Sequence, residues 1–186
     1  GKAADGAKAL IDELHSALDP KAYRKAVALL AESEFIDIFG VENSLTPAMD
    51  LFTKLGYLGL TCRLNTDAYL QQIGAGHLPH GAVAVAFSHS GSSADTVKAL
   101  RLAKSHGAKT IAITNAIGAP LASWADVTLL TGRDSHTIYG NAVFSRVADT
   151  ALVDMLYMGV ILSDYGRFST ALDESGRMIR DRVFEN

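Results

Sequence analysis

The sequence predicts a three-layer α/β/α domain built on a five-stranded parallel sheet. Short apolar runs rich in Val, Ile and Phe alternate with longer segments of helical periodicity. Most of those runs are apolar at nearly every position, as strands covered on both faces are. The chain has 186 residues, 48% of them hydrophobic, which suits one compact domain with a sizeable core.

Residues 2–18 carry Ala3, Ala7, Leu10, Ile11, Leu14 and Leu18 at helical spacing. Asp19-Pro20 supplies an N-cap and a first-turn proline for a second helix over 20–33. FIDIF (35–39) reads as the first strand, ended by Gly40, and Ser44 to Pro47 opens a helix over 46–56. LTCRL (60–64) is the second strand, and Asn65-Thr66-Asp67 starts a helix that stops near Gly74-Ala75-Gly76. AVAVAF (82–87) is the third strand, followed by an amphipathic helix from Ser93 to about His106 that Gly107 caps. TIAIT (110–114), a short helix over 118–124 and VTLLT (127–131) follow. A loop over 132–141 precedes a long helix, 142–163, and a last amphipathic helix follows Tyr165-Gly166. The helices at 2–18, 142–163 and 167–183 are more than five strands need for cover, so an oligomer is expected.

Composition excludes several classes. A net charge of −3 carries no basic nucleic-acid footprint. The single cysteine, Cys62, excludes a disulfide framework and argues for a reducing, cytoplasmic location. No apolar run approaches the roughly 20 residues of a membrane helix, and the first residues have no signal-peptide pattern. The chain starts at Gly1 rather than Met, so a piece of something longer is an open expectation.

Residues 87–93 read FSHSGSS. Ligands of open parallel sheets bind beyond the carboxyl ends of the strands, at a switch point in strand order. Ser88, Ser90, Ser92 and Ser93 fall there for the third strand. The next helix begins near Ser93, so its first amides lack intrahelical partners and favour an anion. Gly91 lets the backbone approach closely, and serine hydroxyls donate to phosphate oxygens without adding charge. Capping alone accounts for one serine, but four around one glycine exceed what a cap needs. GVENS (40–44) offers Asn43 and Ser44 at another helix start. With strand order 2-1-3-4-5 the first and third strands are neighbours across the switch point, and both loops face one crevice suited to a phosphomonoester.

SHSGSS (88–93) resembles the SxSGx[ST] signature of sugar isomerase (SIS) domains, which bind phosphosugars. GVENS resembles their first-strand GxGxS loop, with Glu42 in place of the second glycine. AKTIAITNAIGAPLASWADVTLLT (108–131) looks like the segment after the signature, and SRVADTALVDMLYMGV (145–160) looks like the long helix of RpiR-class bacterial transcription regulators. The resemblance covers about residues 20–165. It implies an SIS-like fold with strand order 2-1-3-4-5, N-terminal linker or dimerisation helices over 1–34, a phosphosugar-binding core over 35–165 and a C-terminal helix over 166–186. It also implies a homodimer or tetramer whose DNA contacts come only from a preceding helix-turn-helix domain outside this chain. Carried over by position, Ser44, Ser88, Ser90 and Ser93 are phosphate ligands, assisted by amides near Ser90 and Gly91, with Ser92 in the same loop. A Glu42 pointing inward would weaken phosphate binding.

Aldose–ketose isomerisation needs a base between adjacent carbons, and SIS-fold isomerases use a Glu at the start of the long helix. YGNAVFSRVADT (139–150) contains no Glu, and none lies between residues 43 and 173. Asp149 and Asp154 read as solvated or helix-pairing residues, Asp149 three positions after Arg146. His89 either contacts the ligand or points away. His136, in the loop TGRDSHTIYG, is a candidate base or sugar contact against the plainer reading of polar surface. His77 and His80 have HxxH spacing but no third ligand, so no metal and no cofactor are expected. His15 and His106 read as surface. A serine hydrolase is disfavoured because both outer glycines of the G-x-S-x-G elbow are serine around Ser90. The expectation is a phosphosugar-sensing regulator domain. An isomerase is the alternative, and an SIS-type interaction module with a degraded site is the third reading.

Overall fold

The computed structural model describes residues 1–133 and 146–180. Helices α1 (Lys2–Ala17) and α2 (Pro20–Glu32) lead into β1 (Ile36–Phe39). A single 3-10 turn (Glu42–Ser44) runs into α3 (Leu45–Tyr57), followed by β2 (Cys62–Leu64), α4 (Ala68–Ala75), β3 (Val83–Phe87) and α5 (Ala94–Ser105). Then come β4 (Lys109–Thr114), a second 3-10 turn (Pro120–Trp124), β5 (Val127–Leu130), α6 (Val147–Ser163) and α7 (Tyr165–Met178). The strands form one sheet in the order β2-β1-β3-β4-β5, every pair parallel, as the sequence predicts. Residues 134–145, which include most of the expected loop 132–141 and positions 142–145 of the expected helix 142–163, and residues 181–186 lie outside the described residues.

The two faces of the sheet differ in bulk. Ile36, Ile38, Val83, Val85, Phe87, Ile111, Ile113, Val127 and Leu129 meet the layer of α2, α3 and α6, with Leu30, Leu51, Leu55, Leu152 and Leu156 among the fully buried partners. The opposite face presents Ala84, Ala86 and Ala112 to Ala99, Leu100 and Ala103 of α5. This period-2 alternation of large and small residues lets α5 sit close on the sheet.

Two elements depart from expectation. The helix read over 118–124 is a 3-10 turn opened by Pro120. β2 is shorter than LTCRL and only half-buried, as an edge strand is. Within β1, Asp37 is buried and takes a two-pronged contact from Arg63 of β2, Nε at 3.0 Å and Nη2 at 2.6 Å. Gly74 makes room for that guanidinium, since a Cβ there would stand 2.7 Å from Nη2.

Candidate functional site

The register pairs Ile38 with Val85 and Phe39 with Ala86, so β1 and β3 end almost level. The loops beyond them therefore open side by side. Val41, Glu42, Asn43 and Ser44 from the first, Ser88, His89, Ser90 and Ser93 from the second, Asp95 from the first turn of α5, and Arg146 just ahead of α6 line one cleft of about 360 Å³. The two serine loops thus face the same space.

The serines are held but not consumed. Ser44 and Ser93 occupy the N-cap positions of α3 and α5, yet neither side chain makes a capping hydrogen bond. The hydroxyl of Ser93 accepts from Thr96 at 3.3 Å, which leaves its own proton for another acceptor. Ser90 accepts from the Ser92 amide at 3.2 Å in the same way. Ser88 is buried, with its amide on the Ile113 carbonyl at 3.0 Å. The early amides of α5 are not claimed by its cap side chain and add positive potential at the cleft, whereas in α3 the Leu45 amide bonds the Glu42 and Asn43 carbonyls and Pro47 has no N–H.

The remaining expected residues separate. Asn43 and His89 line the cleft, and the His89 ring lies 3.4 Å from the Asn115 amide nitrogen. Gly91 and Ser92 do not line it. The Gly91 amide is spent on the Ser88 carbonyl at 3.0 Å, and the Cβ it lacks would meet Ala119 at 2.3 Å, so its glycine answers to packing rather than to ligand approach. Its φ of +63° makes the same demand. Ser92 is exposed and borders a shallow groove with Ala94, Val97, Lys98, Arg101 and Pro120. His136 lies outside the described residues. His15, His77, His80 and His106 are all exposed, and no group of metal-binding side chains occurs among the described residues.

Arg146 is the residue that sequence reasoning did not place here. Its Nε donates to the Asn43 carbonyl at 3.4 Å and lies 3.9 Å from Asp149, while Nη1 is buried with no hydrogen-bond partner among the described residues. Asp149 pairs with Arg146 as its spacing predicts, but it is 5% exposed and not the surface residue expected. Burial pushes its carboxyl above the usual carboxylate range, against the pull of Arg146 and a hydrogen bond to Thr131. Asp154 behaves as read, exposed and paired with Lys54 at 2.5 Å. The available signal was position: residues entering the helix after β5 arrive at the carboxyl edge of the sheet.

Glu42 also stands at the cleft, with φ at +51°, the left-handed value of a non-glycine residue. That backbone costs about 1–2 kcal/mol for a residue with a Cβ.

A family model, the SIS domain, matches residues 29–159. The chain belongs to the SIS domain family. Among curated relatives, this SIS domain is 30% identical over 185 residues to an uncharacterized HTH-type transcriptional regulator of Caldanaerobacter subterraneus, covering 100% of this chain and 66% of that protein. It is 28% identical to the HTH-type transcriptional regulator HexR of Escherichia coli, covering 100% and 64%. The chain therefore spans less than two-thirds of the length of these relatives. Three solved structures share the fold. They are the Vibrio vulnificus NanR protein complexed with ManNAc-6P (TM-score 0.91, 24% identity, 98% of this chain and 69% of that one), the sugar isomerase domain of the Sphaerobacter thermophilus RpiR transcription factor (0.83, 22%, 93% and 95%), and a Methanococcus jannaschii protein with an inferred 3-hexulose-6-phosphate isomerase function (0.71, 16%, 92% and 97%). The expected resemblance to RpiR-type regulators agrees with these relatives.

Proposed function

We propose that this SIS domain is the effector-binding half of an RpiR-type regulator and that it senses a sugar phosphate in the cytoplasm. The observation that carries the proposal is the convergence of Ser44, Ser88, Ser90 and Ser93 on one cleft that also holds Arg146. A phosphate oxygen there would accept from hydroxyls and from a guanidinium fork. The ManNAc-6P bound to NanR supports a phosphosugar as the ligand class. In the whole protein, DNA contact would come from a helix-turn-helix domain, as the names of the curated relatives suggest. Met158, Leu162 and Tyr165 are exposed along α6 and α7, which supports a second copy of the chain on that face.

A thermal-shift screen of sugar phosphates tests the reading. A ligand at 100 times its Kd raises stability by about 2.7 kcal/mol, a visible change in Tm. Saturable binding without turnover supports a sensor, and no shift with any sugar phosphate sinks it. The isomerase alternative is favoured by one feature: Glu42 and His89, both able to move a proton, line the same cleft. It requires turnover that stops when either is replaced.

A further inference from the structure

The fold does not explain why residue 42 is a glutamate. Its φ of +51° suits glycine, and no hydrogen bond or ion pair joins its side chain to another described residue. The carboxylate thus makes no specific contact that would offset its backbone strain, yet it stands in the lining of the cleft. Arg146 stands in the same lining with Nη1 buried and without a hydrogen-bond partner among the described residues. No ion pair joins the two. Asp95, the other carboxylate of the lining, is already engaged by Gln72 at 2.9 Å. The cleft thus holds a cationic, hydroxyl-rich part and a separate uncommitted carboxylate.

Resting on the phosphate reading, we propose that the cleft selects phosphosugars that also carry an ammonium group. The phosphate lies against Ser90, Ser93 and Arg146, and the ammonium against Glu42. Opposite charges at the two places complement a zwitterion, whereas a second anionic group on the sugar meets Glu42 as a like charge.

The test is calorimetric titration near neutral pH and low salt with four probes: glucosamine 6-phosphate, N-acetylglucosamine 6-phosphate, glucose 6-phosphate and 6-phosphogluconate. Glucosamine 6-phosphate is expected to bind about fivefold more tightly than the two neutral sugars, the scale of one exposed ion pair, and 6-phosphogluconate most weakly. Glu42→Gln is expected to bring all four together, and Glu42→Gly does the same should the glutamine variant not fold. Equal affinities in the wild type, or a ranking that survives both variants, overturn the selectivity and leave the phosphate reading standing. Failure of all four sugars to bind overturns both.

Discussion

The Nε of Arg146, just ahead of α6, donates to the main-chain carbonyl of Asn43 at 3.4 Å, joining segments 103 residues apart. Asp149 steadies the same guanidinium from below at 3.9 Å. The cation is thereby tied to the loop after β1 and held in the lining of the cleft. Arg146→Ala is expected to weaken sugar-phosphate binding by about tenfold or more, as loss of a charge-assisted contact does. Titration against inorganic phosphate as well as sugar phosphates checks it, and unchanged affinity would remove Arg146 from the site.

Ser90 and Ser92 stand two positions apart and differ in surroundings: only Ser90 lines the cleft. Ser90→Ala is expected to lose about tenfold to a hundredfold in affinity, one hydrogen bond to a charged group. Ser92→Ala is expected to leave affinity within about twofold, since it removes no such bond. Equal losses in the two variants would show that the loop acts through its shape alone.

Gly91→Ala should destabilise the fold by about 2–4 kcal/mol, because a Cβ meets Ala119 at 2.3 Å and φ is +63°. Denaturant unfolding measures it. Glu42→Gly should act oppositely, raising stability by about 0.5–1 kcal/mol as relief of left-handed strain outweighs the added chain entropy of glycine. A lowered Tm in that variant would show that the glutamate contributes a contact.

The carboxyl of Asp149 is raised by burial, so the folded state holds that proton more tightly than the unfolded state. Its contribution to stability is therefore favourable at low pH. It is lost as pH rises from the ordinary aspartate range through the raised folded value. Relative to Asp149→Asn, the wild type should lose Tm across that interval and stay level above it. A Tm difference that does not change with pH would contradict the assignment.

The sheet order and the convergence of Ser44 with Ser88, Ser90 and Ser93 were legible because alternating apolar runs dictate parallel pairing, and level strand ends place their loops together. Arg146 and Asp149 were legible as a pair but not as buried residues at the site. An Arg and an Asp three positions apart on a helix read as a solvated pair, and only packing against β5 and the first loop buries them. Gly91 was legible as a special position, but the reason lay in Ala119, 28 positions on. Ser92 illustrates the limit of composition: neighbours in a turn point to different sides, and a run of serines does not say which.

The alanine-lined side of the sheet has a mechanical consequence. Where α5 sits on Ala84, Ala86 and Ala112 the side chains beneath it are short, with Phe39 of β1 buried in the same layer, so the turn that starts α5 is held close against the strands. The opposite layer carries the larger side chains, and it is there that Arg146, just ahead of α6, joins the cleft to the helical layer.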